Sequence, residues 1–166
     1  MNKELIIIAH NIRSCHNIGS LLRTAEGLGI TRVYLTGYTP YPEMPNDSRL
    51  PHLSKKITSQ IHKTALGAEN SVNWAHYDEA GTVIEKLRAD GFIIAGLEQA
   101  PSSKSLNDFK PPEKLAVVLR SEATGMDADL LDLTDFCIEI PMKGSKESFN
   151  VVEAATMLMY HCTYIA

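Results

Sequence analysis

Cysteine is scarce in this chain of 166 residues: Cys15, Cys137 and Cys162 are odd in number, widely spaced and without any Cys-x-x-Cys pairing. That pattern excludes a disulfide framework and a cysteine zinc site, so the three are read as small buried hydrophobes. The six histidines contain no i, i+4 pair beside a carboxylate, and no metal is expected. Long apolar runs are also missing. None approaches the ~20 residues that span a bilayer, and the stretch Met1 to Glu4 ahead of Leu5 has no secretory pattern, which makes the cytoplasm the expected location and no membrane contact the expectation. Neither a Walker pattern nor Gly-x-Gly-x-x-G follows the first apolar stretch, which argues against the common nucleotide-binding α/β enzymes.

Positive charge is in deficit overall, with 16 Lys and Arg against 20 Asp and Glu. The deficit is uneven: residues 1–65 carry eight basic and four acidic side chains, residues 66–166 eight and sixteen. An acidic body with a basic N-terminal half can still present a positive face to phosphate. A hydrophobic fraction of 44% and a charged fraction of 22% are ordinary for a globular domain, and the length suits a single domain over residues 1–166.

Short apolar runs alternate with helical periods. Strands are expected at Leu5–Ala9, Arg32–Thr36, Val72–Tyr77, Phe92–Leu97, Leu115–Leu119 and Phe136–Ile140. The isoleucine-rich first run suits a strand covered on both faces. Helices are expected from an N-cap at Asn17 to Gly29, from Ser54 to Ala65, from Asp78 to Asp90, briefly at Asp127–Leu133, and from an N-cap at Asn150 through Tyr160. The segment Tyr38–Leu53, with four prolines, reads as a long irregular loop, and Gln99–Lys110 as a polar one. The implied fold class is α/β, a mainly parallel sheet with helices on both faces.

The stretch from Ile138 to Glu153 reads as a strand ending at Pro141, a polar loop around Gly144 and a helix start at Asn150. A loop leading into a helix N-terminus is a natural place for an anion or a developing oxyanion. Ser148 and Asn150 could equally do no more than cap that helix. A second polar stretch, Asn11 to Ala25, holds Asn17 and Arg23, and a third runs from Lys114 to Met126.

In order and spacing these three stretches resemble the signature motifs of the SpoU/TrmH-type RNA methyltransferases of the SPOUT superfamily, and the resemblance runs over residues 5 to 163. It implies a C-terminal trefoil knot, which nothing in the periodicity reveals, and S-adenosylmethionine as cofactor. It further implies methyl transfer to a ribose 2′-hydroxyl of RNA, with tRNA ahead of rRNA because no extra RNA-binding domain is evident, and a homodimer. By the same resemblance the catalytic residues are Arg23, Asn17, Glu122, Ser148 and Asn150. The cofactor would be held by Leu97 and Glu98 after the fourth strand, by Leu119, Ser121, Glu122 and Gly125 after the fifth, and by Ile140, Met142, Ser148, Phe149, Asn150 and Val151 after the sixth.

One position departs from the family pattern: Arg120 stands where glycine is usual. Its side chain is expected to turn away from a bound sulfonium, toward a carboxylate or outward to RNA. Together with Ala123, the same departure motivates an alternative reading, a knotted RNA-binding protein with weakened or lost cofactor binding. The homodimer has a second motive in the C-terminal helix, which is apolar over most of its circumference.

Overall fold

The computed structural model describes residues 3–120, 126 and 128–166. Ser121, Glu122, Ala123 and Gly125, named above, lie outside the described residues.

Seven strands of the described residues form one sheet: β1 Glu4–His10, β2 Arg32–Thr36, β3 Trp74–Tyr77, β4 Ile93–Leu97, β5 Lys104–Ser105, β6 Lys114–Arg120 and β7 Phe136–Glu139. Their order across the sheet is β3-β2-β1-β6-β4-β7-β5, and every pairing is parallel. Among the described residues five α-helices accompany them: α1 Cys15–Gly27, α2 Pro51–Ala65, α3 Ala80–Ala89, α4 Ala128–Asp132 and α5 Val151–Tyr160.

The period of two along a strand sends alternate side chains to opposite faces. Leu5, Ile7 and Ala9 of β1 therefore join one core, with Leu21 and Leu22 of α1, Ile61 of α2 and Ala155 and Leu158 of α5. Ile6 and Ile8 join the other, with Val83, Ile84 and Leu87 of α3 and Leu130 of α4. Both faces of β1 are covered, as its unbroken apolar run requires. The α/β class with helices on both faces is as expected.

Some boundaries differ from the sequence reading. The N-cap of α1 is Ser14, not Asn17: Ser14 is extended at φ −78° and ψ 116°, and its hydroxyl accepts the Asn17 N–H at 3.1 Å. Asn17 thus occupies the third helical position, and its carboxamide has no capping duty. Helix α2 opens at Pro51 rather than Ser54, because proline suits a first turn where its missing N–H costs nothing. Ser54 is buried instead, its hydroxyl donating to the Pro51 carbonyl at 3.1 Å. Two-residue β5 lies within the segment read as a polar loop; such a strand is too short to leave a periodic signal.

The proline-rich segment before α2 is held by side chains. The Arg49 guanidinium lies 3.6 Å from the Tyr41 ring centroid and donates to the carbonyls of Tyr41 and Pro42, while Tyr41 stacks on His76 at 3.9 Å. Arg49 also grips Asp47, holding that carboxyl well below the usual carboxylate range.

Helix α5 corrects one argument for a dimer. Val151, Val152, Ala155, Leu158 and Met159 are buried inside this chain, and α5 packs on α1 and β6, so its broad apolar surface is spent on its own core. Only Tyr160, Tyr164 and Ile165, at 51%, 60% and 64% exposure, remain as large apolar groups at this end of the chain. Cys137 and Cys162 are buried and Cys15 is half-buried; burial pushes the Cys162 thiol up to about 11.

Candidate functional site

Parallel strands aim their C-terminal ends at one edge of a sheet, and ligands of open α/β sheets bind outside that edge. Here the ends of β4, β6 and β7 meet the start of α5 around a pocket of about 650 Å³, its open mouth included. Leu97, Glu98 and Gln99 line it from the end of β4, Leu119 and Arg120 from β6, and Ile138, Glu139 and Ile140 from β7. Ser148, Phe149, Val151 and Ala154 close it from the approach to α5 and its first turn.

Local structure holds these groups in place. The side chain of Asn150 accepts the Val152 N–H at 2.9 Å, so Asn150 is the N-cap of α5 that its sequence position suggested. Glu98 accepts the Gln99 N–H at 3.0 Å through one carboxylate oxygen and the Met126 N–H at 2.9 Å through the other. Its charge therefore ties the turn after β4 to the segment after β6. Gly96 gives β4 its close fit: a Cβ there would stand 3.0 Å from the terminal carbon of Met126 and 3.3 Å from the sulfur of Cys137.

Of the residues expected to hold a cofactor, Leu97, Glu98, Leu119, Ile140, Ser148, Phe149 and Val151 line this pocket. Met142 does not line it, and Asn150 supports it as the cap. Gln99, Ile138, Glu139 and Ala154 line it without having been singled out. Ile138 and Glu139 were within reach of sequence reasoning, since they end a strand beside an expected loop site. Ala154, one turn into α5, carried no such signal.

Arg23 and Asn17 stand elsewhere. Arg23 is exposed on α1 and lines a second groove with Ser20, Thr24, Lys63 and Thr64, between α1 and α2. Asn17 is half-buried two turns earlier on the same helix. The structure thus brings Ser148 and Asn150 together at the pocket and puts Arg23 on a different groove. Among the described residues there is no cluster of three or more His, Cys, Asp or Glu able to hold a metal, and no helix is long and apolar enough to cross a membrane.

Fold and pocket define an α/β domain with a pocket at the C-terminal edge of a parallel sheet. The chain belongs to the SpoU rRNA Methylase family, whose model matches residues 4–160. A Staphylococcus epidermidis protein assigned to the TrmH family of tRNA/rRNA methyltransferases is 32% identical over 155 residues, 93% of this chain and 56% of that protein. The chain spans about half the length of the curated relatives it matches. Among solved structures, the A. aeolicus TrmH/SpoU tRNA modifying enzyme superposes with a TM-score of 0.76 at 20% identity, over 96% of this chain and 73% of that one. The SpoU methyltransferase AviRb from Streptomyces viridochromogenes, solved with the cofactor AdoMet, gives 0.78 at 21% identity, over 96% and 57%. A structure concerned with 2-OH methylation of C/U34 on tRNA gives 0.74 at 19% identity, over 96% and 93%.

Proposed function

We propose that this chain is an S-adenosylmethionine-dependent methyltransferase acting on a ribose 2′-hydroxyl of RNA, tRNA before rRNA, in the cytoplasm. The observation that carries the reading is the pocket formed where β4, β6 and β7 end against α5. Its donor set fits the cofactor: Leu97, Leu119, Ile138, Ile140 and Phe149 offer apolar surface to an adenine ring, and Glu98 and Glu139 bring carboxylates suited to ribose hydroxyls and a cationic centre. When bound, that group supplies an electrophilic methyl. The family membership and the AdoMet-bound AviRb structure support the same choice.

A ribose hydroxyl is a weak nucleophile at neutral pH, so the protein must orient it and stabilise its charge as the proton leaves. Arg23 is assigned that electrostatic role, because a guanidinium stays protonated and serves poorly as a base. Asn17, relieved of capping by Ser14, positions the start of α1 toward the RNA. Ser148 and Asn150 fix the approach to α5, and Glu122 is assigned, on the family pattern, to receive hydrogen bonds from its own loop.

The homodimer and the knot belong to the same reading. Arg23 lines a groove other than the cofactor pocket, and a second copy offers a way to bring the two together. The knot rests on the family pattern. Light scattering that gave only the 18.3 kDa monomer mass at micromolar concentration would overturn the dimer. Reaction and substrate are tested together by mass spectrometry of nucleosides from cells with and without the protein. One missing 2′-O-methyl mark is expected, and unchanged nucleosides would refute the proposal.

Arg120 favours a second reading. It lines the cofactor pocket, where the family pattern has glycine, and a cation there opposes a sulfonium. On that reading the domain binds RNA but takes up S-adenosylmethionine weakly or not at all.

A further inference from the structure

The groove between α1 and α2 has a feature the catalytic assignment leaves unused. Its walls are Ser20, Arg23 and Thr24 from α1 and Lys63 and Thr64 from α2, so two cations and three hydroxyls line it without a carboxylate. Both cations are exposed, and among the described residues neither forms an ion pair. Glu26, one turn beyond Arg23, is not part of the lining.

The pairing of these residues is set by the fold. At Gly19 the two helices approach so closely that a Cβ would lie 2.2 Å from the Ile61 carbonyl. The Thr64 hydroxyl then donates to the His16 carbonyl at 2.8 Å, which fixes the last turn of α2 alongside α1. Lys63, on that last turn, is thereby carried to the same groove as Arg23. Complementing the α2 dipole accounts for a cation in this turn. It does not account for that cation sharing a groove with Arg23, Ser20 and Thr24. An uncompensated pair of cations flanked by hydroxyls is the chemistry of a phosphate site.

We propose that Lys63 and Arg23 hold one phosphodiester of the RNA backbone in this groove, with Lys63 acting as a positioning residue that delivers the RNA to Arg23. The inference rests on the RNA methyltransferase reading and adds a residue to it. Because the contact is to backbone, it contributes affinity and register and does not read sequence.

The test measures binding of total tRNA, taken from cells lacking the protein, as a function of salt, together with methyl transfer. Wild type, Lys63→Gln, Lys63→Arg and Lys86→Gln, on α3 across the sheet, are compared after thermal melts confirm that each is folded. Lys63→Gln is expected to weaken binding roughly tenfold and to lower the slope of log affinity against log salt by about 0.7 to 0.9. KM for RNA should rise, with kcat and S-adenosylmethionine affinity unchanged. Lys63→Arg should restore binding and Lys86→Gln should have no effect. An unchanged slope and KM in folded Lys63→Gln would overturn the phosphate site, as would an equal loss in Lys86→Gln. Failure of the function itself has a separate signature, the absence of methyl transfer by the wild type, while the salt slope still judges the groove.

Discussion

Replacing Gly19 by alanine sets two effects of opposite sign against each other. Within a helix, alanine is favoured over glycine by about 1 kcal/mol. At this position, however, the new Cβ would stand 2.1 Å from the Thr64 hydroxyl oxygen, 2.2 Å from the Ile61 carbonyl oxygen and 2.9 Å from the Ala65 nitrogen. The hydroxyl could rotate aside only by giving up its bond to His16, and the other two atoms belong to the α2 backbone. The helices must therefore separate by more than an ångström, breaking the packing of Leu21, Leu22 and Ile61. Overpacking of this kind costs ~1–3 kcal/mol, and the lost hydrogen bond adds about 1. The net effect is a destabilisation of roughly 1–3 kcal/mol, or a fall in Tm of roughly 2–12 °C for a chain of this length. Gly27 supplies the internal control. It lies at the end of the same helix, its φ is not positive, and a Cβ there meets nothing within 4 Å. Gly27→Ala should raise Tm by roughly 1–4 °C. Differential scanning calorimetry of both variants decides the matter. Gly19→Ala melting at or above the wild-type temperature would refute the close-crossing account of α1 and α2, and with it the placing of Lys63 beside Arg23.

Three further outcomes are expected. Arg23→Ala should abolish methyl transfer with the melting temperature and S-adenosylmethionine affinity retained, and Arg23→Lys should rescue poorly because lysine lacks the planar fork; near wild-type turnover in the alanine variant would remove Arg23 from the mechanism. If the Arg120 guanidinium faced a sulfonium at ~5 Å in an effective dielectric near 20, the repulsion would reach roughly 3 kcal/mol, about a hundredfold in affinity. Calorimetric titration of S-adenosylmethionine should therefore give similar affinities for wild type and Arg120→Gly if the arginine turns away, whereas binding detectable only in the glycine variant would favour the cofactor-free reading. Burial raises the Glu69 pKa, but hydrogen bonds from His62 at 2.5 Å and from the Gly67 amide at 2.9 Å outweigh it, and the net shift is downward from 4.5. A depressed carboxylate contributes stability above its unfolded pKa and loses it as pH falls through the folded value, so the stability gap between wild type and Glu69→Gln should be full near pH 6 and shrink below pH 4.5; a gap independent of pH would sink this assignment.

The sheet was readable because burial on both faces leaves unbroken apolar runs such as Leu5–Ala9, and the helices because their apolar stripes keep the helical period. Caps were harder. Asn11, Ser14 and Asn17 are all capping residue types within seven positions, and the choice among them is made by backbone angles that composition does not encode. Asn11 sits at φ 53° and spends its carboxamide on the Tyr38 N–H at 3.1 Å, while Ser14 takes the cap. The segment before α2 read as formless because what organises it, Arg49 on Tyr41 on His76, is a contact between residues far apart in sequence with no local period. In the site, the three loops followed from the family pattern, yet Glu139 and Ala154 were overlooked because they belong to a strand and a helix rather than to the loops. The apolar girth of α5 pointed to a partner, but its position between α1 and the sheet accounts for it within one chain.

The strand order bears on how the chain is made. Glu4 of β1 pairs with Lys114 of β6, so the ribosome must add about 110 residues between one side of that ladder and the other. At ~5–20 residues per second, the inner edge of β1 stays unpaired for roughly 5–20 s after its synthesis, carrying one of the most apolar stretches of the protein. Nascent β1, β2 and β3 therefore form a sheet with a hydrophobic open edge, the kind of surface that templates aggregation. The insertion of β6 that creates the pocket is thus also the step for which the first three strands must wait.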